Sequence, residues 1–227
     1  MRLIAHRSGP TVYPEQTVSS ALLSFADGAE LVEVDVRFSR DGVPLISHDR
    51  ELQRVFGTDQ CTNEITAAEF CALRHINAPE FHGHTLKDYI DSGVFPMLLH
   101  IKEGGEHLPA LLDFLRKSGC LDKVIVGVSA TEDIAFLKQY DNNIKVLAFM
   151  RSHELYADSV KAGADFIRLW ENWYTDSLFR KIKDLGKEVW IMTGGCDGYE
   201  VGYTSSEKLR FFKNIPVDGL LINNVNL

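Results

Sequence analysis

Two acidic residues stand two positions apart inside an apolar run that reads LVEVDVRF. Side chains of a β-strand alternate with a period of two, so Glu33 and Asp35 share one strand face, with Cα atoms roughly 6.5–7 Å apart. Two carboxylates in an apolar setting repel each other, and Mg²⁺ or Ca²⁺, which prefer hard oxygen ligands, would neutralise them. The spacing therefore predicts a metal site at this acidic pair. The alternative is a buried ion network with Arg7, Arg37 or Lys102.

Two histidines stand before and after the acidic pair in the chain, each at the end of a strand-like run. His6 ends the run LIAH, and His48 ends the run VPLISH. Imidazole titrates near neutrality, so it can give or take a proton at working pH. We therefore predict that His6 and His48 form an acid/base pair, with either residue in either role.

Basic side chains at strand ends are placed to hold an anion beside these groups. Arg7 follows His6 directly, and Lys102 stands two residues after His100, on the same strand face. We expect Lys102 to supply fixed positive charge to an anionic ligand. Its alternative role, which is compatible with the first, is to neutralise the acidic pair.

Arg168 belongs to a further apolar run, FIRLW. Ile167 and Leu169 suit a face covered by helices, so we predict that Arg168 points into the interior as a second anion-binding group; the alternative is a surface arginine. Cations, carboxylates and imidazoles without a nucleophile triad favour a phosphate-containing substrate, whose oxygens gain charge in the transition state.

The elements that must position these residues alternate between strands and helices. The predicted strands are Leu3–His6, Leu31–Phe38, Met97–Lys102, Val124–Val128, Lys145–Met150, Phe166–Trp170, Glu188–Thr193 and Gly219–Asn223. The predicted helices are Glu15–Ala26, Leu108–Lys117, Thr131–Gln139, His153–Lys161, Thr175–Leu185 and Ser205–Lys213, with Thr131 and Ser205 as capping residues. Eight strands with helices between them predict an α/β fold, a TIM (β/α)8 barrel, with the site at the carboxyl ends of the strands.

One stretch does not follow this alternation. Asp41-Gly42 is a tight-turn signal, so the run Val43–His48 is predicted to form a hairpin with the second barrel strand. The irregular stretch Asp49–Phe95 is too long for a simple loop. We therefore expect residues 1–227 to form a single barrel domain in which residues 49–95 are an inserted cap or subdomain.

Composition excludes several classes of protein. The 227 residues are 45% hydrophobic and 25% charged, which is ordinary for a globular domain. Lys and Arg number 24 against 32 Asp and Glu, a net charge of −8 that argues against nucleic acid as a partner. No apolar run is long enough for a membrane span. Four scattered cysteines indicate reduced thiols, and with no signal-like segment we expect a cytoplasmic protein; a homo-oligomer formed through the insertion stays open.

The motifs also resemble those of a known family. LIAHRSGPTVYPEQT followed by LVEVDVRFSRDGVPLISHD resembles the N-terminal signature of the glycerophosphodiester phosphodiesterase family, and MLLHIK, VWIMTGG and VDGLLINN extend the resemblance to the C-terminus. The resemblance implies a TIM barrel with a small inserted subdomain. It also implies a divalent cation and hydrolysis of glycerophosphodiesters, in lipid and glycerol metabolism, to sn-glycerol 3-phosphate and an alcohol.

The resemblance implies roles for individual residues. These are an acid/base pair at His6 and His48, a phosphate ligand at Arg7, metal ligands at Glu33 and Asp35, and the family's third-strand lysine at Lys102. Glu15 fits the Pro-Glu motif; its alternative role is to favour the N-terminus of the following helix.

The chain departs from the family pattern at several positions. The family's third ligand carboxylate corresponds to His100, and an imidazole ligand makes Mn²⁺ or Zn²⁺ more plausible than in an all-oxygen site. The other departures are Ser8 for Gly, Gln16 for Asn, Met192 for an aromatic residue, Gly195 for Asn, and Asn223-Asn224 for an acidic pair.

Two alternative functions share these residues. A sphingomyelinase D-like lyase would use the same histidines and acidic cluster but would release a cyclic phosphate. A non-catalytic barrel would bind phosphodiesters without cleaving them, and the loss of a ligand carboxylate at His100 is the feature that favours it.

Overall fold

The computed structural model describes residues 1–227 and contains twelve β-strands and nine α-helices. The strands are β1 Arg2–Ala5, β2 Leu31–Phe38, β3 Pro44–Ile46, β4 Arg74–His75, β5 Ala78–His82, β6 His84–Thr85, β7 Met97–Ile101, β8 Val124–Val128, β9 Lys145–Ala148, β10 Phe166–Trp170, β11 Glu188–Met192 and β12 Gly219–Ile222. The helices are α1 Val18–Ala26, α2 Gln53–Phe56, α3 Ala67–Ala72, α4 Leu86–Asp91, α5 Leu108–Lys117, α6 Thr131–Tyr140, α7 Tyr156–Ala162, α8 Asp176–Asp184 and α9 Ser206–Lys213.

Eight of the strands form a closed parallel barrel. Their order around the barrel is β1, β2, β7, β8, β9, β10, β11 and β12, and β12 pairs with β1 to close it. The predicted (β/α)8 barrel is therefore confirmed. The strand bounds agree closely with the prediction because strands buried on both faces are near-continuous apolar runs, which end where polar residues begin.

Apolar side chains alternate between the barrel interior and the layer of helices. The interior set is Ile4, Leu31, Leu98, Leu147, Phe166, Trp190 and Leu221. The outer set, which includes Ile167 and Leu169, joins the helices in the main core of 42 buried residues. Burial of each such large side chain stabilises the fold by about 1.5–3 kcal/mol relative to exposure.

The stretch between β2 and β7 is the one large departure from barrel alternation. β3 pairs antiparallel with β2 beyond the turn at Gly42, whose φ of 78° suits glycine, and β6 pairs with β3. The rest contains α2, α3 and the two-stranded ribbon of β4 and β5, around a small apolar cluster that includes Leu45, Leu52, Ile65 and Phe70. The assignment of residues 49–95 as a separate subdomain stays a prediction.

The first residues of two helices differ from those predicted by local sequence signals, and a third agrees. The helix predicted from Glu15 begins at Val18 with Thr17 as its N-cap, because Gln16 has a φ of 59° and cannot continue a right-handed helix. The predicted capping by Thr131 is wrong: Thr131 is the first helical residue, and Ala130 precedes it without a side-chain cap. Ser205 accepts a hydrogen bond from Lys208 N, as a capping residue should.

No helix combines the length and the apolar composition that crossing a bilayer requires. All four cysteines are free thiols.

Candidate active site

A turn in the left-handed backbone conformation follows β1 and places a backbone N–H group beside the acidic pair. Arg7, Ser8 and Gly9 have φ values of 49°, 67° and 76°, a conformation that residues other than glycine seldom adopt. Arg7 N donates a hydrogen bond to Glu33 Oε2 at 2.8 Å, and Ser8 Oγ lies 2.9 Å from the hydroxyl of Tyr89. The strained turn therefore directs a backbone N–H at one oxygen of Glu33.

The acidic pair on β2 and His100 on β7 lie together, and Asp35 is paired in register with His100. His100 Nδ1 is 3.0 Å from Asp35 Oδ1 and 3.5 Å from Glu33 Oε1. One ligand atom from each of the three residues lies within 4.8 Å of the other two. Both carboxylates are 1% exposed, so this cluster is removed from bulk water.

The carboxylate oxygens that face His100 fit a divalent cation. Glu33 Oε2 accepts from Arg7 N, and Asp35 Oδ2 accepts from Gln16 Nε2 at 2.7 Å. The other oxygen of Glu33, Oε1, is buried and has no hydrogen-bond donor, whereas Asp35 Oδ1 is buried against Lys102 and His100. A buried carboxylate oxygen without a donor is costly, and one oxygen from each carboxylate beside an imidazole nitrogen matches the ligands of Mg²⁺, Mn²⁺ or Zn²⁺. The residues present therefore fit the metal that the motifs implied.

Positive charge keeps Asp35 ionised. Lys102 Nζ lies 2.8 Å from Asp35 Oδ1, a charge contact without the directional geometry of a hydrogen bond. Burial on its own would raise the pKa of Asp35, but Lys102 and His100 hold that pKa well below its usual range. The predicted ion network and the predicted metal ligands are thus the same residues.

His100 is held by aromatic stacking. Its ring lies parallel to Phe149, with 3.7 Å between ring centroids and 14° between planes. His100 is on β7 and Phe149 follows β9. The stacking between them fixes the plane of the imidazole, with Nδ1 facing the carboxylates.

His6 is anchored from the last barrel strand. Its Nδ1 lies 2.8 Å from Asn223 Oδ1, while Asn223 Nδ2 donates to the carbonyl of Val201 at 3.0 Å. Because the amide nitrogen is used by Val201, the Asn223 oxygen faces the ring and His6 Nδ1 is the donor. His6 Nε2 is then left to exchange a proton. Gly202 covers this hydrogen bond, and a Cβ there would overlap Asn223 and His6.

His48 is anchored by a carboxylate. Its Nδ1 lies 2.6 Å from Asp49 Oδ1, so Nε2 is again the free nitrogen. Burial lowers the pKa of His48, the charge of Asp35 opposes this, and the charges of Lys102 and Arg7 lower the pKa further. The net result is a pKa below the usual histidine value, which keeps His48 neutral at pH 7.

A chain of ion pairs links His48 back to the acidic pair. Arg54, from α2 of the inserted stretch, binds both Asp49 and Glu15. Glu15 Oε2 also accepts from Arg7 Nη1 at 3.0 Å, and Arg7 Nε lies 3.9 Å from Asp35. Glu15 thus joins two arginines instead of favouring a helix N-terminus.

A cleft of about 600 Å³ lies outside this ion-pair chain, between the loop after β1 and the inserted stretch. Its lining includes Tyr13, Glu15, Arg54, His75, Glu80 and Phe81. Its lining mixes charges, because Arg54 stands in it beside Glu15, with which it pairs.

Arg168 faces the barrel interior on the side opposite this cleft. Its Cζ lies 4.3 Å from the ring centroid of Trp170, 5.4 Å from that of Phe149 and 5.6 Å from that of Trp173. Only 5% of the residue is exposed, and burial lowers its pKa to about 10. Arg168 contacts the wall of the site through Phe149 and does not join the ion pairs of Arg7 and Lys102.

The structure gathers the sequence-predicted residues into one region and adds others. His100 and Arg7 each contact both carboxylates, and Lys102 contacts Asp35. His6 precedes Arg7 directly, and the charge of Asp35 acts on His48. Arg168 is the exception and lies apart among aromatic rings. Sequence reasoning missed the positioning roles of Gln16, Asp49, Arg54 and Asn223. Gln16 and Asn223 depart from the family's sequence pattern, and this departure is the only sequence signal that points to them.

Several solved structures of phosphodiesterases share this fold. A phosphodiesterase of Oleispira antarctica in complex with the product sn-glycerol-3-phosphate superposes with a TM-score of 0.82 at 19% identity, covering 98% of this chain and 93% of that one. A glycerophosphodiester phosphodiesterase of Agrobacterium tumefaciens gives a TM-score of 0.81 at 17% identity, covering 100% and 98%. At such identities the likeness shows the fold.

The family follows from the sequence match. The model of the Glycerophosphoryl diester phosphodiesterase family matches residues 6–227, so the chain belongs to this family. The resemblance drawn from the motifs is confirmed, and with it, at the level of the family, the expected enzyme class.

Curated relatives match over shorter stretches. Lysophospholipase D GDPD3 of Mus musculus is 31% identical over 120 residues, which are 48% of this chain and 36% of that protein. Glycerophosphodiester phosphodiesterase 1 of Homo sapiens is 33% identical over 79 residues, which are 35% of this chain and 23% of that protein. The chain thus matches well under half the length of these relatives.

Proposed function

We propose that the protein hydrolyses glycerophosphodiesters to sn-glycerol 3-phosphate and an alcohol, with a divalent cation and an acid/base pair of histidines. Membership of the family supports the reaction class. The product bound to the Oleispira antarctica protein of the same fold supports sn-glycerol 3-phosphate as the product. The four free cysteines are compatible with the reducing cytoplasm as the place of action.

Glu33, Asp35 and His100 would hold the cation. A bound divalent cation stabilises charge on a phosphoryl oxygen and lowers the pKa of a coordinated hydroxyl group. The family implies Mg²⁺ or Ca²⁺, whereas the imidazole in this set favours Mn²⁺ or Zn²⁺.

His6 and His48 would move the protons through their Nε2 atoms. One takes the proton of the attacking substrate hydroxyl as its oxygen bonds to phosphorus. The other donates a proton to the alcohol oxygen as the bond between that oxygen and phosphorus breaks. The product of this first step is a cyclic phosphate of glycerol. Water then opens it, and the two histidines exchange their roles.

Arg7 and Lys102 would balance charge on the substrate. Both are held by carboxylates, so their positions are set before substrate binds. Preorganised cations stabilise the developing phosphoryl charge without a reorganisation cost during the reaction.

The observation that carries this proposal is the anchoring of two imidazoles through Nδ1, one by Asn223 and one by Asp49, in a site that also holds the buried cluster of Glu33, Asp35 and His100. The test is hydrolysis of glycerophosphoethanolamine by His6→Ala and His48→Ala, followed by phosphorus NMR. Turnover should fall more than about 10²-fold in each variant.

The exposed His153→Ala is the matched control and should keep wild-type turnover. Near-normal turnover of His6→Ala or His48→Ala would contradict the acid/base assignment. A cyclic phosphate as the final product would instead indicate the lyase reaction.

A further inference from the structure

Arg168 carries a positive charge that no group of the protein neutralises. Burial is the only influence on its pKa, with no carboxylate contributing. The Nε and Nη1 atoms are buried without a hydrogen-bond partner, and Nη2 reaches only the carbonyl of Met150, at a long 3.5 Å. Every other cation of the site has a carboxylate: Lys102 has Asp35 and Arg7 has Glu15.

The aromatic rings around Arg168 do not meet its hydrogen-bonding needs. Trp170, Phe149 and Trp173 attract the charge through their π faces. A guanidinium has five N–H donors, however, and ring faces are poor acceptors for them. An unpaired buried cation with free donors is costly to the fold and becomes favourable when an anion pairs with it.

The position of Arg168 separates its ligand from the scissile phosphate. The Phe149 ring stacks on His100 at 3.7 Å and also lies 5.4 Å from Arg168 Cζ. Arg168 is therefore one aromatic ring away from the cluster of Glu33, Asp35 and His100. An anion at Arg168 would be a second group on the same substrate, beyond the phosphate that the cluster serves.

We propose that Arg168 binds a carboxylate on the alcohol half of the substrate, so that the preferred substrates are glycerophosphodiesters of a hydroxy acid. This rests on the proposed function and deepens it. A planar guanidinium pairs with a planar carboxylate through two parallel hydrogen bonds, and a flat group suits a space between aromatic rings. The arginine in the lining of the cleft on the opposite side, Arg54, is already paired with Glu15 and Asp49.

The rings that cover Arg168 lie at the rim of the barrel. Trp170 and Trp173 are partly exposed and belong to the end of β10 and the turn that follows it. These two rings therefore stand between Arg168 and solvent.

The test compares two substrates that differ in one group. Glycerophosphoglycerate and glycerophosphoglycerol have alcohols of the same length, one ending in a carboxylate and the other in a hydroxymethyl group. Wild-type kcat/KM should be at least about tenfold higher for the glycerate ester, the size of effect expected for a charge-assisted pair. Arg168→Met should bring the ratio of the two kcat/KM values close to one, and Arg168→Lys should keep part of it.

Arg151→Met is the matched control, because Arg151 is an exposed arginine shortly after β9 and should leave the ratio at its wild-type value. Equal kcat/KM for the two esters in the wild type would overturn the inference while leaving the proposed function intact. A uniform loss on both esters in Arg168→Met would also overturn it. Hydrolysis of neither ester would contradict the proposed function itself.

Discussion

Nδ1 of His6 lies 2.8 Å from Oδ1 of Asn223, which stands 217 positions further along the chain. The hydrogen bond joins the first and last barrel strands at the carboxyl end of the barrel, where β1 and β12 pair. A neutral amide fixes the orientation and tautomer of the imidazole without placing a charge beside it.

The contact between His6 and Asn223 predicts a defect in chemistry. Asn223→Ala should lower kcat by about ten- to a hundredfold with a smaller change in KM, as expected when the orienting partner of a functional histidine is lost. Nitrogen-15 NMR of His6 should show a mixture of tautomers in place of the Nδ1–H form.

Asn224→Ala is the matched control for this prediction. Asn224 is the same residue type, one position further on, and its side chain accepts from Asn226 N. An unchanged His6 spectrum in Asn223→Ala would contradict the positioning role, even if activity fell.

The double ion pair of Arg54 predicts an effect on rate without a large effect on stability. Arg54→Met leaves Asp49 and Glu15 without their shared cation, so His48 and Arg7 should lose orientation and kcat should fall by about tenfold. Half-exposed ion pairs contribute only about 0.2–1 kcal/mol, so the melting temperature should barely change. Arg50→Met, an exposed arginine without an ion pair, should keep wild-type kcat. Equal kcat in both variants would exclude a role for Arg54.

The imidazole in the metal cluster predicts the order of metal affinities. Isothermal titration should show tighter binding of Mn²⁺ and Zn²⁺ than of Mg²⁺ and Ca²⁺ to the wild type, because His100 is a softer ligand than a carboxylate. His100→Glu should shift the preference towards Mg²⁺ and Ca²⁺ by about tenfold or more. His153→Glu, at an exposed position, should leave all four affinities unchanged. An unaltered metal preference in His100→Glu would exclude His100 as a ligand.

A histidine away from the site predicts loss of stability in acid. Burial and the neighbouring His82 and His75 lower the pKa of His84 to about 4, although Asp88 opposes this. Between that value and about pH 6.5, the unfolded chain binds a proton at this residue and the folded chain does not, so the free energy of unfolding falls as pH falls. After allowance for solvent screening, the loss is about 1–2 kcal/mol.

Urea unfolding at pH 7 and pH 4.5 checks this prediction. The loss of unfolding free energy between the two pH values should be smaller in His84→Phe than in the wild type. His153→Phe, an exposed change of the same kind, should retain the full wild-type loss. An equal loss in His84→Phe and the wild type would show that other groups govern the acid sensitivity.

The barrel was accessible to sequence reasoning because its signals are local. The strand β2, for example, is apolar throughout apart from Glu33, Asp35 and Arg37, and the period of two places the first two on one face. The position of the site then follows from the general rule for barrels.

The partners of these residues were inaccessible because they are remote in sequence. Asn223 meets His6 across the closure of the barrel, and Arg54 meets Glu15 across 39 positions. No local periodicity of the sequence encodes such pairings, because they depend on the three-dimensional path of the loops. The same limit explains the predicted helix start at Glu15, since that residue serves two arginines instead.

Arg54 belongs to the inserted stretch and pairs with both Glu15 and Asp49, so catalysis depends on the local stability of this stretch. Short helices and exposed ion pairs open locally at a lower free energy than a closed barrel does. Each such opening would release Asp49 and Glu15 together and slow the reaction, as in Arg54→Met, while the barrel remained folded. On heating, kcat should therefore begin to fall before the barrel melts, and cleavage of this stretch by a protease should lower turnover without unfolding the barrel.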